Sequence, residues 1–214
     1  MKDVETFLAS PPISPSIEEI RQALECQFYS SDIQNPDQRL APSEYNMSFK
    51  QASVLLPIWH SPTAGLQVLL TQRAKHMRNH PGQIAFPGGQ MDDTDDTVIA
   101  TALRETEEEV GLKPQNFNVI GQLGDYFTTS GFCVSPVIAE VTKLTPILIC
   151  YDEVESAYWV PLDYLLNPNN FHFEHRVLAD KSRGFFEIKY ENIHIWGVTA
   201  GILYCLYQAL YNNN

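Results

Sequence analysis

Three glutamates in the run ETEEE have a spacing at which their carboxylates could act together. Glu105, Glu108 and Glu109 stand at positions i, i+3 and i+4 of a segment with helical periodicity, which places them within about one turn. Like charges at i,i+4 repel by a few tenths of a kcal/mol on an isolated helix. A bound divalent cation makes this closeness favourable, because Mg²⁺ binds carboxylate oxygens together with water and substrate phosphate. A solvated acidic helix face is the alternative for such a run taken alone.

The residues before this helix favour the metal site over the solvated face. Gly88 and Gly89 precede it, and a glycine allows a backbone carbonyl to approach an ion closely. Arg104 can hold the carboxylates in place, for instance Glu108 at i+4. The sequence therefore predicts a divalent-metal site at this helix.

A cluster of basic residues lies upstream of the glycines. Arg73, Lys75 and Arg78 fall within six positions, in a chain with 14 Lys and Arg against 26 Asp and Glu. Arginine makes bidentate contacts with phosphate oxygens. This cluster is the local patch that an acidic protein needs to bind a polyanionic small ligand, although solvated charges at a strand end are the alternative.

The stretch from Phe86 to Pro114 resembles the Nudix box, whose pattern is Gly, five residues, Glu, seven residues, then Arg-Glu-apolar-x-Glu-Glu-x-Gly-apolar. Three positions depart from it: Thr106 takes an apolar place, Asp96 takes the place of the first Glu, and Gly89 lies one residue too far upstream. The loop is thus one residue longer than the family norm. The positions that agree are Arg104, Glu105, Glu108, Glu109, Gly111 and Leu112.

A second motif immediately upstream looks like the signature that accompanies the Nudix box in coenzyme A pyrophosphatases, in which the longer loop is usual. It runs Leu69-Leu70-Thr71-x-Arg73-Ala74, three residues, Arg78, three residues, Gly82, three residues, then Phe86-Pro87-Gly88-Gly89. The resemblance extends from about Ala52 to Leu210.

The resemblance implies an α/β fold, an α/β/α sandwich with a mixed β-sheet, and a dependence on Mg²⁺ or Mn²⁺. It implies Glu105 and Glu109 as principal metal ligands, Glu108 as a ligand or orienting group, and a carbonyl of Gly88 or Gly89 as a further ligand. Glu153, in the DEVES loop, is the expected additional acid at the metal or the attacking water, with a solvated loop acid as the alternative.

The motif upstream of the box implies the substrate-binding residues, namely Arg73, Lys75, Arg78, Phe86, Gly88 and Gly89. The implied reaction is hydrolysis of the diphosphate bond of coenzyme A, or of a derivative, to 3′,5′-ADP and 4′-phosphopantetheine. Water attacks phosphorus in line while the metal neutralises the developing charge. A Nudix hydrolase for ADP-ribose or a dinucleotide is one alternative, and a catalytically inactive nucleotide-binding Nudix module is another.

Composition narrows the classes of protein that the chain can belong to. The chain has 214 residues, 44% of them hydrophobic, which suits one domain, and its net charge of -12 argues against nucleic acid as a partner. Four cysteines lie far apart, so neither a disulfide framework nor a structural zinc site is expected. The N-terminal residues do not read as a secretory signal. We expect a cytoplasmic protein, with a homodimer left open.

The elements that must position these residues follow from periodicity. We expect residues 1–50 to form an N-terminal extension with a short helix, and the resemblance implies that 51–214 form the Nudix domain. A hairpin is expected from Ala52, with two long helices at about 95–110, capped by Thr94 or Asp95, and at about 197–210. The uncharged segment 193–211 is predicted to be buried against a sheet and not in a membrane. Further strands are expected at 117–123, 132–141, 156–160, 171–177 and 185–190.

Overall fold

The computed structural model describes residues 14–27, 48–178 and 181–211. Its four α-helices are α1 (Ile17–Gln27), α2 (Val98–Val110), α3 (Leu162–Leu165) and α4 (Val198–Tyr211). Its strands are β1 (Lys50–Ser61), β2 (Gly65–Arg73), β3 (Ile84–Ala85), β4 (Gly88–Gln90), β5 (Phe117–Gln122), β6 (Tyr126–Phe127), β7 (Phe132–Val141), β8 (Val154–Pro161), β9 (His172–Leu178), β10 (Lys181–Tyr190) and β11 (Ile193–Trp196).

Eight strands form one mixed sheet. The central pair β1 and β7 is parallel, from Lys50 opposite Phe132 to Ile58 opposite Glu140, and the other pairs are antiparallel. The predicted hairpin is present as β1 and β2, joined at residues 62–64. Strands β9, β10 and β11 form a second, antiparallel sheet. A mixed sheet is therefore confirmed.

Helices cover both faces of the large sheet because its central strands are apolar on both sides. Leu55 and Leu69 face α2 and belong to the clusters beneath it, whereas their neighbours Leu56 and Leu70 join the main core on the opposite face. That core also contains residues of α1, α4 and the second sheet. Continuous apolar runs with both faces covered are typical of such buried strands, and the α/β/α arrangement agrees with the prediction.

The helix of the N-terminal extension packs on the same core. Ile20 and Leu24 of α1 are buried, and a Cβ added to Gly121 of β5 would meet the Leu24 side chain. The domain boundary at residue 50 stays a prediction, and the polar stretch of the extension at 28–47 lies outside the described residues. Helix α1 itself contributes to the core of the domain.

The uncharged segment 193–211 is a short strand followed by a helix. Ile193–Trp196 pairs with β10, and α4 begins at Val198. Gly201 lies on the tyrosine ring of Tyr126, since a Cβ at this glycine would meet the ring and its hydroxyl. The described residues include no helix with the length and apolarity needed to cross a membrane.

Candidate metal and substrate site

Helix α2 begins three residues later than predicted. Thr97 is its N-cap, with extended backbone and a side chain that accepts from the N–H of Ala100 at 3.1 Å. The prediction that Thr94 or Asp95 caps the helix is wrong. Asp95 is unavailable for this role because its carboxylate is engaged with Arg104.

The C-terminal end of α2 is fixed by a loop that leads to the later acidic segment. Gly111 ends the helix in the left-handed conformation with φ 73°, as glycine does at this position. The carbonyls of Val110 and Glu109 accept from the backbone N–H groups of Leu148 and Cys150. These bonds satisfy the last carbonyls of the helix and bring the segment before Glu153 to the site.

Arg104 is the centre of the ionic contacts on α2. Its Nε and Nη2 donate to the two oxygens of Asp95 at 3.0 and 2.8 Å, and its Nη1 donates to Glu105 at 2.9 Å and Glu108 at 3.0 Å. The predicted i+4 contact with Glu108 is present. The pKa of Asp95 lies well below its usual range because this guanidinium binds the ionised carboxylate.

Glu109 differs from the other two glutamates in its burial. It is only 3% exposed, whereas Glu105 is half-buried and Glu108 is exposed. Burial raises the pKa of Glu109 to about 8, with further contributions from the negative charges of Glu105 and Glu153, against the opposing charge of Arg73. In the described part of the chain no Lys or Arg forms an ion pair with Glu109.

The hydrogen bonds to the Glu109 carboxylate come from two other elements. The Thr71 hydroxyl of β2 lies 3.5 Å from its Oε2, and the backbone N–H of Gly88 donates to it. Both contacts hold the carboxylate without neutralising it.

The two positions before α2 require glycine because atoms of other elements approach their backbone closely. A Cβ at Gly88 would meet the backbone of Ser53 and Val54, and a Cβ at Gly89 would meet the carboxylate of Glu105. Strand β4 therefore lies directly against the acidic face of the helix. Burial raises the pKa of Glu105, against the effect of Arg104.

Glu153 lies close enough to the helix for its charge to matter. Its backbone carbonyl accepts from the N–H of Ala74 at 2.8 Å, and its own N–H donates to Cys150. Its negative charge contributes to the raised pKa values of both Glu105 and Glu109. The structure thus brings this late loop to the carboxylates of α2.

The three predicted basic residues have different surroundings. Arg73 acts on Glu109 electrostatically, donates from Nη2 to the sulfur of Met77 at 3.3 Å, and has a buried Nε without a hydrogen-bond partner. Lys75 is exposed and pairs with Glu155 at 2.7 Å. Arg78 is exposed, and no ion pair with it occurs among the described residues.

Phe86 is more deeply buried than the other predicted substrate-binding residues. Its side chain is 3% exposed and belongs to the main core. The substrate-binding role of Phe86 stays a prediction, and its ring packs among core residues. Its burial anchors the link between β3 and β4, directly before the two glycines that begin β4.

Two residues of the site are missing from the sequence prediction. Asp95 orients Arg104, and Thr71 contacts Glu109. An acidic residue nine positions before an arginine gives no recognisable periodic signal, because it lies in the loop before the helix. Thr71 belongs to the quoted upstream motif, but only the pairing of strands shows which face it occupies.

The donor set fits a hard divalent cation that completes its coordination with substrate and water. No group of three His, Cys, Asp or Glu side chains in the described ranges converges closely enough to hold a metal ion. Mg²⁺ does not require three protein side chains, because it is commonly bound by one or two carboxylates together with water and substrate phosphates. Glu109, buried and without a cation partner, is the group for which such an ion supplies the missing charge.

The comparison with known proteins agrees with the geometry. The model of the NUDIX domain matches residues 50–181. The chain belongs to the Nudix family. An uncharacterized Nudix hydrolase, NudL, of Escherichia fergusonii is 41% identical over 157 residues, which cover 73% of this chain and 81% of that protein. The NudL of Shigella boydii is 42% identical over the same shares.

Among solved structures, a Nudix hydrolase from M. smegmatis, RenU, is similar at 24% identity with a TM-score of 0.46. The similar region covers 55% of this chain and 73% of that one.

One departure from the Nudix box has a local explanation. Thr106 stands at an apolar place of the pattern and is fully buried, and its hydroxyl donates to the carbonyl of Ala102 at 2.7 Å. The hydroxyl is thereby satisfied within the helix, so a threonine can replace an apolar residue there. Asp96, at the place of the first Glu, is exposed.

Proposed function

We propose that this Nudix protein hydrolyses the diphosphate bond of coenzyme A, or of a derivative, to 3′,5′-ADP and 4′-phosphopantetheine. The observation that carries the proposal is the buried, cation-free carboxylate of Glu109 beside Glu105 and Glu153. A module that only binds a nucleotide gains nothing from acids that repel one another. The upstream motif with Arg73 and Arg78 supports coenzyme A as the substrate. The cytoplasm is the proposed location.

Glu105 and Glu109 are the proposed ligands of Mg²⁺ or Mn²⁺, with a carbonyl of Gly88 or Gly89. A bound divalent ion lowers the pKa of water and neutralises charge that develops on the phosphoryl oxygens. The protein's own part is to orient these carboxylates on α2 before an ion binds.

Arg104 and Asp95 supply that orientation. The bidentate pair fixes the guanidinium plane, and the remaining Nη1 hydrogen bonds hold Glu105 and Glu108 on the same side of the helix. Glu153 is the proposed group that accepts a proton from the attacking water, because its loop lies beside the carboxylates and its side chain is exposed.

The charge of the substrate determines the proposed role of the basic cluster Arg73, Lys75 and Arg78. Coenzyme A carries a 3′-phosphate in addition to its diphosphate, so an acidic protein that prefers it needs additional cations. Arg78 is the proposed contact to this phosphate because it is exposed. Arg73 acts closer to the carboxylates, where its charge already affects Glu109.

The test compares kcat/KM for coenzyme A, dephospho-coenzyme A and ADP-ribose, with products identified in the presence of Mg²⁺ or Mn²⁺ and of a chelator. Dephospho-coenzyme A should be the poorer substrate. Arg78→Ala should shrink its difference from coenzyme A by about 1 to 3 kcal/mol, the contribution of a charge-assisted hydrogen bond. Lys113→Ala removes one exposed charge elsewhere and serves as the control.

The alternatives have distinct outcomes. A clear preference for ADP-ribose would overturn the coenzyme A assignment and leave Nudix hydrolysis standing. Absence of metal-dependent products from every diphosphate tested would support the inactive nucleotide-binding module instead.

A further inference from the structure

The backbone turn that carries Glu153 is fastened to the end of the metal helix. We call residues 150–155 the Glu153 turn. The N–H of Cys150 donates to the carbonyl of Glu109 at 3.0 Å. Within the turn, the N–H groups of Glu153 and Val154 donate to the carbonyl of Cys150 at 3.0 and 2.9 Å. One side of the Glu153 turn is therefore held by α2 through backbone hydrogen bonds.

The other side of the Glu153 turn lies against the loop that follows β2. The pairing of β2 with β8 shifts its register between Gln72 and Arg73. Beyond that shift, the N–H of Ala74 donates to the carbonyl of Glu153 at 2.8 Å. Ala74 and Val154 are both buried. The loop of the basic cluster and the Glu153 turn are thus packed together.

Two side chains of this loop add contacts to the same turn. The Nε2 atom of His76 lies 3.1 Å from the carbonyl oxygen of Asp152. A carbonyl oxygen only accepts, so this hydrogen bond requires the proton on Nε2. Lys75 pairs with Glu155 at 2.7 Å, but the pair is on the surface, where solvent screens it. His76 is therefore the side chain that holds the backbone of the turn.

The backbone of the turn determines where the Glu153 carboxylate lies. The carbonyl that His76 contacts belongs to the peptide bond directly before Glu153. The Glu153 side chain is exposed, and no hydrogen bond or ion pair with another described residue holds its carboxylate. Its charge nevertheless acts on both Glu105 and Glu109. A shift of the turn would therefore change the distance of this carboxylate from the acids of α2.

We propose that His76 is a positioning residue, which donates to the Asp152 carbonyl and so holds the Glu153 turn with the Glu153 carboxylate beside the acids of α2. This assignment rests on the proposed function for the statement that Glu153 accepts a proton from the attacking water. The docking of the turn by His76 does not depend on hydrolysis.

The first experiment measures kcat and KM for coenzyme A at saturating Mg²⁺ in two variants. His76→Phe keeps a ring and removes the donor, whereas His76→Gln supplies a side-chain N–H in its place. His76→Phe should lower kcat about fivefold, the factor that corresponds to a typical hydrogen bond, and leave KM unchanged. His76→Gln should restore most of kcat. The control is His60→Phe, the same change at an exposed histidine of β1, and it should behave like the wild type.

A double-mutant cycle separates the positioning of Glu153 from a general structural role. Glu153→Gln removes the proposed proton acceptor and should lower kcat by itself. In that background His76→Phe should have no further effect on kcat, because no acceptor is left to position. An equal loss of kcat in both backgrounds, or a raised KM with unchanged kcat, would overturn the proposal.

Amide hydrogen exchange tests the docking without turnover. The N–H of Ala74 is protected by its bond to the Glu153 carbonyl, so it exchanges when the loop and the turn separate. His76→Phe should speed this exchange about fivefold, and His76→Gln should keep the wild-type rate. The N–H of Cys150 donates to Glu109 on the other side of the turn. It should exchange at one rate in all three proteins and serves as the internal reference.

The exchange and kinetic measurements fail separately. Unchanged exchange at Ala74 in His76→Phe overturns the docking of the turn by His76. Faster exchange at Ala74 with unchanged kcat overturns the positioning role of that docking. If the wild type hydrolyses no diphosphate, the proposed function fails, and the exchange at Ala74 still decides whether His76 holds the Glu153 turn.

Discussion

Two glutamates of this protein are similarly buried, and their pKa values are shifted in opposite directions. Glu109 on α2 is 3% exposed and has a pKa raised to about 8, whereas Glu187 on β10 is 7% exposed and has a lowered pKa. The difference comes from their partners. Lys189 and His194 each approach Glu187 at 2.7 Å, whereas Glu109 faces two further carboxylates.

The comparison distinguishes a carboxylate that is paired within the fold from one that lacks a cationic partner. A buried charge is stable in a fold only if it is paired, and Glu187 is paired with Lys189 and His194 of the second sheet. Glu109 has its partner only when a cation binds. Burial alone does not identify a functional acid. The charges that surround the buried carboxylate identify it.

The largest expected effect concerns activity. Glu109→Gln should lower kcat by at least about two orders of magnitude, because loss of a metal ligand exceeds the 10- to 100-fold cost of losing an outer contact. The matched substitution Glu187→Gln should keep kcat within about threefold. Steady-state kinetics at saturating Mg²⁺ measures both. Full specific activity of folded Glu109→Gln would refute the ligand assignment.

The next effect is on stability as a function of pH. The folded protein keeps a proton on Glu109 up to a pKa of about 8, and the unfolded chain releases it near 4.5. The folded state thus binds more protons in this window, so the metal-free protein should lose a few kcal/mol of stability as pH rises through it. Urea unfolding at pH 5 and pH 8.5 should show this loss in the wild type and a smaller one in Glu109→Gln. Identical pH dependence in both would contradict the assigned burial of the charge.

Metal binding should offset that loss. A ligand that binds only the folded state stabilises it by about 2.7 kcal/mol at 100 times its Kd. Mg²⁺ should therefore raise the Tm of the wild type at pH 8 and leave Glu109→Gln nearly unchanged. Glu187→Gln is the control and should respond like the wild type. An equal rise in Tm for Glu109→Gln would mean that the ion binds elsewhere.

The smallest effect concerns Glu187. Its lowered pKa means that the folded state favours the ionised form, so its stabilisation is present above the usual carboxyl value of 4.5 and is lost as pH falls below it. Glu187→Gln should cost about 1 kcal/mol at pH 7, because the partner side chains are solvent-exposed and screened. The difference in unfolding free energy between wild type and variant should disappear at pH 3. A constant difference across this range would show that packing, and not charge, causes the loss.

The sequence predicts long periodic elements well because the spacing of their apolar residues indicates which face of each element is buried. Strand β7 has the predicted limits, and α2 differs only at its first turn. The start of α2 is ambiguous because the DDTDDT run offers several capping side chains. The contact of Asp95 with Arg104 decides among them, and this contact depends on the folded chain.

The less predictable parts of the site depend on which way a side chain points. Strand β11 lies in an uncharged run that continues into α4, and the sequence does not show that its four residues pair with β10 as a strand. Phe86 stands beside the glycines in sequence, and its ring turns into the core. Arg73 follows a shift in the pairing of β2 with β8, and alternation along the strand fails to give its direction at such an irregularity.

The parallel pairing of β1 with β7 has a consequence for how the protein is made. The residues that pair lie about 80 positions apart, as Ser53 and Ser135 do, and such contacts close late because loop entropy must be overcome first. Strand β4, with both glycines, pairs with the same part of β1. During synthesis β4 leaves the ribosome before β7 does, so the strand with both glycines can pair with β1 while the opposite edge of β1 still lacks its partner.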